Sequence, residues 1–229
     1  MGLFSSYFIS CNISNMTLCS LLILQYNSFF VEHKLSTEDY ILGLPKEFSL
    51  SYISSTEIDF LKNLGGKLKK SNTKLIFRFL NEDVIESSTK KTYGELLKDL
   101  KSVKEFAAGI LVPKTYIWPL NKDQYLEPST SLVKDAHALG LEVYASGFAN
   151  DIVTSYNYSY DPSAEYLQFI DNPDFSVDGV LTDFPPTASG AIGKNYSMLE
   201  LEGAKTTVHG ENLHDQCCFG HDRDLHIML

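Results

Sequence analysis

Apolar runs and amphipathic stretches alternate through the middle of the chain. LLILQYNSFF (21–30) is a compact apolar run and reads as a buried strand. FSLSYI (48–53), KLIFRFL (74–80), GILVPK (109–114), LEVYASGF (141–148) and VDGVLTDF (177–184) read the same way. Segments with helical spacing lie between them. Ser36-Thr37-Glu38-Asp39 opens a short helix with a capping hydroxyl and acids in its first turn. STEIDFLKNLGGKLKK follows, with Ile58, Leu61, Leu64 and Leu68 near one face. TYGELLKDLKSVKEFA (92–107) carries Leu96, Leu97, Leu100, Val103 and Phe106 on one side. SLVKDAHALG (131–140) is a helix closed by Gly140, and PSAEYLQFI (162–170) begins with proline in its first turn.

Six strand–helix units in succession predict an α/β fold with a parallel sheet, because parallel neighbours need crossover helices. No repeat of solenoid period interrupts the alternation. Past Ile192 the texture changes, and residues 193–229 read as an irregular, disordered tail.

Composition adds limits. The chain has 229 residues and 44% hydrophobic content, enough for a sizeable core. The formal charge of −10 excludes a general nucleic-acid binder, which needs a basic face to displace counterions. The cysteines, Cys11, Cys19, Cys217 and Cys218, all lie near the ends, so no disulfide framework holds the middle. The first residues are apolar only in patches. They give neither a clear signal peptide nor an uninterrupted apolar run of the roughly 18 residues a membrane helix needs. Four Asn-x-Ser/Thr sequons, at Asn12, Asn15, Asn157 and Asn195, lean mildly towards a secreted ancestry.

In parallel α/β folds the working face lies at the C-terminal ends of the strands. The polar residues just past each apolar run are therefore the candidates: Gln25 and Asn27, Tyr52 and Ser54, Arg78, Lys114, Asn150 and Asp151, Thr182 and Asp183. Arg78 and Lys114 could meet a phosphate, and Asp151 and Asp183 a metal or a hydroxyl. The competing reading is that such residues satisfy loop backbone and helix caps. The histidines do not form a catalytic pair. His33 follows the first run, and His137 sits mid-helix on an outer layer. His209, His214, His221 and His226 crowd the tail with Cys217 and Cys218, at spacings that lack a C-x-x-C knuckle.

Several blocks carry a resemblance. VDGVLTDFP resembles the last-strand motif of the glycerophosphodiester phosphodiesterase family, a TIM-barrel family. LVKDAHALGLEVYASGFAND resembles the helix and strand before it, and SYNYSYDPSAEYLQFIDN the segment between the last two strands. YISSTEIDFLKNLGG, TKLIFRFLNED and GILVPKTYIWPL resemble the N-terminal phosphodiesterase-like domain of the plant two-domain, GPI-anchored members. The resemblance implies a partial TIM (β/α)8 barrel of about six of its eight βα units. It spans residues 21–192, between a non-family N-terminus (1–20) and the tail.

The resemblance also implies metal-assisted hydrolysis of glycerophosphodiesters to glycerol 3-phosphate and an alcohol, with calcium or magnesium held by carboxylates and two histidines as acid and base. It implies a secreted or cell-surface location. The substrate rim would be Arg78, Lys114, Asn150, Asp151 and Asp183. The family's His-Arg-Gly and Glu-x-Asp motifs, on its first two strands, are read as absent from this chain. The family's metal-binding Glu position reads Gln25, and its nearby Lys position reads Asn27. Two functions stay open: a family hydrolase with an incomplete catalytic set, or a non-catalytic extracellular module in contact with the cell wall.

Overall fold

The computed structural model describes residues 5–11, 17–24, 27–44, 50–68, 71–151 and 155–191. Among these the strands are β1 (Ser5–Cys11), β2 (Thr17–Leu24), β3 (Tyr52–Ser55), β4 (Lys74–Arg78), β5 (Gly109–Pro113), β6 (Glu142–Phe148) and β7 (Gly179–Thr182). The α-helices are α1 (Asn27–Glu32), α2 (Thr37–Leu42), α3 (Ile58–Lys67), α4 (Tyr93–Leu97), α5 (Leu100–Lys104), α6 (Leu132–Ala138) and α7 (Pro162–Ile170). Residues 185–191 are also helical.

Strands β2 to β7 form a curled sheet in which each pairs in parallel with the next. These are the six parallel strands that the alternation predicts, and they match a partial TIM barrel. The sheet departs from expectation at its edges. Six strands alone would leave two edges open, yet β1 pairs antiparallel with both β2 and β7 and closes the barrel. An unpaired edge exposes a row of backbone donors and acceptors, and a hairpin folding back from β2 satisfies both rows at once. The sequence signal was weak because residues before Leu21 are apolar only in patches.

Two further boundaries differ from the reading. The run 21–30 is not one strand: β2 ends at Leu24 and α1 begins at Asn27. An apolar run cannot by itself distinguish a buried strand from a buried helix. The amphipathic stretch 92–107 is two helices. Thr92 forms a capping box with Glu95 at the start of α4, and Asp99 then caps a second helix by accepting from the Ser102 N–H. A capping aspartate in mid-stretch gives the backbone a better partner than continued helix, and it breaks the run there.

The core has two parts. Ile23, Ile76, Leu111, Tyr144 and Leu181 cluster with Tyr52, one residue from each parallel strand, and so fill the barrel interior. The alternate residues, among them Ile53, Phe77, Ile110, Val143 and Val180, face the helices and join the larger cluster with Leu61, Leu64, Val103, Val133 and Phe169. Close packing at the floor requires Gly109. A Cβ there would meet the Glu142 carbonyl oxygen at 2.7 Å and its Cβ at 2.9 Å.

The same alternation sets the floor of the barrel. Lys74 and Glu142, on the faces of β4 and β6 that carry Ile76 and Tyr144, form an ion pair. The Tyr144 hydroxyl donates to Glu142 Oε2 at 3.1 Å. Tyr52 meets Tyr144 edge-on at 5.6 Å, with the Lys74 ammonium 5.7 Å from the Tyr52 ring centre. Outside the floor, Asp178 Oδ2 lies 2.8 Å from His137 Nε2 and accepts from the Val143 N–H at 2.7 Å. It thereby holds α6 to the sheet, which is the outer-layer role read for His137.

Candidate functional site: the C-terminal rim of the barrel

Parallel strands bring the ends of β2 to β7 to one face. Lys114 follows β5 directly, as the first residue of a 3-10 turn (Lys114–Tyr116). Its ammonium is 2.7 Å from Glu165 Oε1 on α7, and the two side chains are only 8% and 7% exposed. The same ammonium lies 5.2 Å from the centre of the Phe148 ring. Burial pushes the Lys114 pKa below the ordinary lysine value, against the opposing hydrogen bond and charge of Glu165.

Phe148, at the end of β6, stacks on Tyr166 of α7 at 4.8 Å and 17°. A bulge precedes it: the register shifts between Ser146 and Phe148, and Gly147 takes φ +93°. Only glycine adopts that backbone cheaply, and the bulge turns Phe148 into the rim. The Tyr166 hydroxyl is 2.5 Å from Thr182 Oγ1 at the end of β7. Thr182 Oγ1 in turn accepts from the Phe184 N–H at 2.9 Å and donates to the Phe148 carbonyl at 3.3 Å. The ends of β5, β6 and β7 are thus tied to α7 through one connected set of side chains. Buried polar groups that are all partnered make a rigid unit.

The other predicted rim residues take different positions around this set. Arg78 is the last residue of β4, half-buried, on the face that carries Ile76 into the barrel. Asn150 is exposed, and its Nδ2 donates to Thr187 Oγ1 at 2.7 Å, linking the loop after β6 to the helix at 185–191. Asp151 is exposed in a turn. Asp183 is exposed at the end of β7, where its N–H donates to the Phe148 carbonyl at 3.3 Å. Tyr52 is half-buried at the floor rather than the rim, because β3 begins there. Ser54 is fully buried, and its hydroxyl has no hydrogen-bond partner among the described residues. Asn27 begins α1 instead of standing two residues along a strand. His33 is exposed in the turn after α1. Gln25, Asn12, Asn15, Asn195 and the His/Cys-rich tail lie outside the described residues.

Two carboxylates at this end escaped the sequence reading. One is Glu165. The other is Glu86, which is 1% exposed in the segment after β4. It accepts from the Ile58 N–H at 3.2 Å, the Thr89 N–H and hydroxyl at 2.7 Å each, and the Ser88 hydroxyl at 2.7 Å. Burial opposes its ionisation, but the Thr89 and Ser88 donors outweigh burial and hold the carboxyl below the ordinary Glu value. Nearby, the Tyr93 hydroxyl donates to the Thr56 carbonyl at 2.8 Å, and burial pushes its pKa up to about 12. The signal for Glu86 was an acid followed at the second and third positions by hydroxyls, a pattern that folds donors back onto the carboxylate.

One reading of the sequence needs correcting. A Glu-x-Asp triplet does occur, as Glu57-Ile58-Asp59. It straddles the start of α3, with Glu57 at the N-cap and Asp59 in the first turn. A strand would set the two acids on one face, two residues apart; a helix start does not.

The residues described here do not fit a divalent cation. Hard cations take six or more oxygens, several from carboxylates. No three of His, Cys, Asp and Glu gather among the described residues. Glu165 is held by Lys114, Glu86 is surrounded by its own donors, and Asp151 and Asp183 stand exposed, one in the turn after β6 and one at the end of β7. None of the described helices is long and apolar enough to cross a membrane.

Comparison with known proteins gives a consistent set of relatives. The chain is 56% identical over 171 residues, 75% of its length, to "Glycerophosphodiester phosphodiesterase GDPDL7" of Arabidopsis thaliana. It is 51% identical over 168 residues to "Glycerophosphodiester phosphodiesterase GDPDL3", and 50% identical over 193 residues, 82% of its length, to "Glycerophosphodiester phosphodiesterase GDPDL5", both of the same plant. The chain spans only 22% to 26% of the length of these three relatives. No family model matches it.

Proposed function

The chain belongs to the glycerophosphodiester phosphodiesterase family, and we propose that it is a non-catalytic barrel module of that family. The supporting observation is the state of the charged groups at the rim. The Lys114 cation, which a phosphate would need, is buried against Glu165. The buried carboxylates are engaged by Lys114 and by the donors around Glu86. Charge neutralisation and proton shuttling are what hydrolysis of a phosphodiester requires. The chain carries no His-Arg-Gly, and its Glu-x-Asp lies at the start of a helix.

The test is direct. The purified full chain is incubated with glycerophosphocholine and calcium or magnesium, and release of glycerol 3-phosphate is followed. No turnover above a buffer control is expected. Turnover that a chelator abolishes would overturn the proposal.

A further inference from the structure

The segment between β6 and α7 presents an unusual surface. Tyr156 and Tyr160 are 46% and 71% exposed, and Tyr125, from the loop after β5, is 50% exposed. Tyr156 links the other two: its ring centre is 5.6 Å from that of Tyr125 and 6.4 Å from that of Tyr160. A contiguous aromatic surface in water is uncommon on a monomer and marks something that covers it.

Asn157 lies inside this patch, in the sequon Asn157-Tyr158-Ser159. Its side chain is held in one orientation. Asn157 Oδ1 accepts from the Leu126 N–H at 2.9 Å and from the Ser155 hydroxyl at 3.1 Å. No hydrogen bond holds its Nδ2 among the described residues, and the residue is exposed. With the oxygen turned inward, the amide nitrogen is left towards solvent. Tyr158 is buried between its two exposed neighbours and pins the turn. Ser159 and Tyr160 both take left-handed backbone, φ 51° and 63°. That conformation is unfavourable for a non-glycine residue. Tyr160 is displayed outward in spite of that cost.

We propose that Asn157 is an N-glycan acceptor and that the first sugars of its glycan cover the Tyr125–Tyr156–Tyr160 surface. The donor would be an oligosaccharide carried on a lipid diphosphate. Nδ2 bonds to the anomeric carbon of the first sugar, the bond from that carbon to the diphosphate oxygen breaks, and Nδ2 gives up one proton. The Oδ1 contacts seen here are kept, because the modified amide retains its oxygen. Tyrosine rings present a negative face to the C–H groups of a sugar ring and hydroxyls to its oxygens. The patch and the acceptor are therefore matched in chemistry and adjacent in the chain.

The experiment expresses the full chain behind a secretory leader in eukaryotic cells, with a control sequon in the joining linker. Glycopeptide mass spectrometry reads each site. With the control sequon modified, the Asn157 peptide is expected to carry glycan, and S159G is expected to abolish it there while suiting the left-handed backbone. N157D, which keeps the oxygen acceptor, is the second variant and should behave as S159G does. Nitration of Tyr156 and Tyr160 is expected to rise several-fold when the glycan is removed enzymatically. An unmodified Asn157 beside a modified control sequon would overturn the acceptor role. Equal nitration with and without the glycan would overturn the covering of the tyrosines.

Discussion

The barrel carries a lysine–glutamate pair at each end, and the two pairs behave in opposite ways. At the floor, Lys74 meets Glu142 with the Tyr52 ring near its ammonium. At the rim, Lys114 meets Glu165 with the Phe148 ring beside it. The chemistry is the same to the level of the aromatic neighbour. The surroundings are not: the floor side chains are 46% and 27% exposed, the rim side chains 8% and 7%. The hydrogen bond to Glu142 raises the Lys74 pKa, with burial only a partial offset. At Lys114 burial wins and the pKa falls. An ion pair in water is a weak convenience, whereas one taken out of water has a desolvation cost that its partner must offset. The rim pair therefore acts as a strut whose loss is costly, and the floor pair as a surface contact.

The sharpest break of this comparison is E165A. It leaves the Lys114 ammonium buried without its carboxylate, which should destabilise the fold by about 3–5 kcal/mol. K114M/E165L removes both charges and should recover most of that loss. Chemical denaturation of the single and double variants measures it. A single variant that loses under ~1 kcal/mol, the range of exposed pairs, would make the two ends alike.

Glu86 extends the contrast at the rim to a carboxylate held by backbone and hydroxyl donors. E86A removes an acceptor from several buried donors, at a cost of about 1.5–3 kcal/mol for a charged hydrogen-bonding group. The effect should depend on pH. The folded carboxyl holds its proton less readily than the unfolded one, so the unfolded chain binds more protons at low pH. The stabilisation is complete above the ordinary Glu value of 4.5 and is lost as pH falls through the lowered folded value. The stability difference between wild type and E86A should shrink across that acid window and stay constant at neutral pH. A difference that grows on acidification would show that the donors do not stabilise the charged form.

At the floor, packing should matter more than charge. G109A forces a Cβ against the Glu142 backbone at 2.7 Å. Overpacking of this kind costs about 1–3 kcal/mol. Thermal unfolding reads the change, and an unchanged midpoint would mean that β5 and β6 can separate at the floor without loss.

Part of this was legible in the sequence. Compact apolar runs and the polar residues that end them put Arg78, Lys114, Thr182 and Asp183 at strand ends, and the structure places them there. Glu165 and Glu86 were not legible as rim groups. Glu165 sits in an amphipathic helix where an acid looks like a solvated face, and only the packing of α7 over the barrel turns it to Lys114. Glu86 lies in a loop whose donors come partly from α3, 28 residues earlier in the chain. The pairing of β1 with β7 was equally hidden, since it joins the two most distant strands described. Periodicity reports which face a residue occupies, and partners distant in sequence leave no trace in it.

The smallest expected effect closes the comparison at the floor. K74M removes the exposed cation and leaves Glu142 with the Tyr144 hydroxyl as its donor. The loss should be about 0.2–1 kcal/mol, and it should fade as salt screens the pair. The pH dependence has the opposite sign to that at the rim. A raised lysine pKa contributes stability that is complete below the ordinary value of 10.5 and is lost as pH rises through the folded value. The lowered Lys114 value makes stability rise with pH in the window just below 10.5. Denaturation of wild type and K74M at low and high salt, repeated across the alkaline range, separates the two. A K74M cost that survives high salt would mean the floor pair is shielded from solvent, and the distinction between the two ends of the barrel would then rest on packing alone.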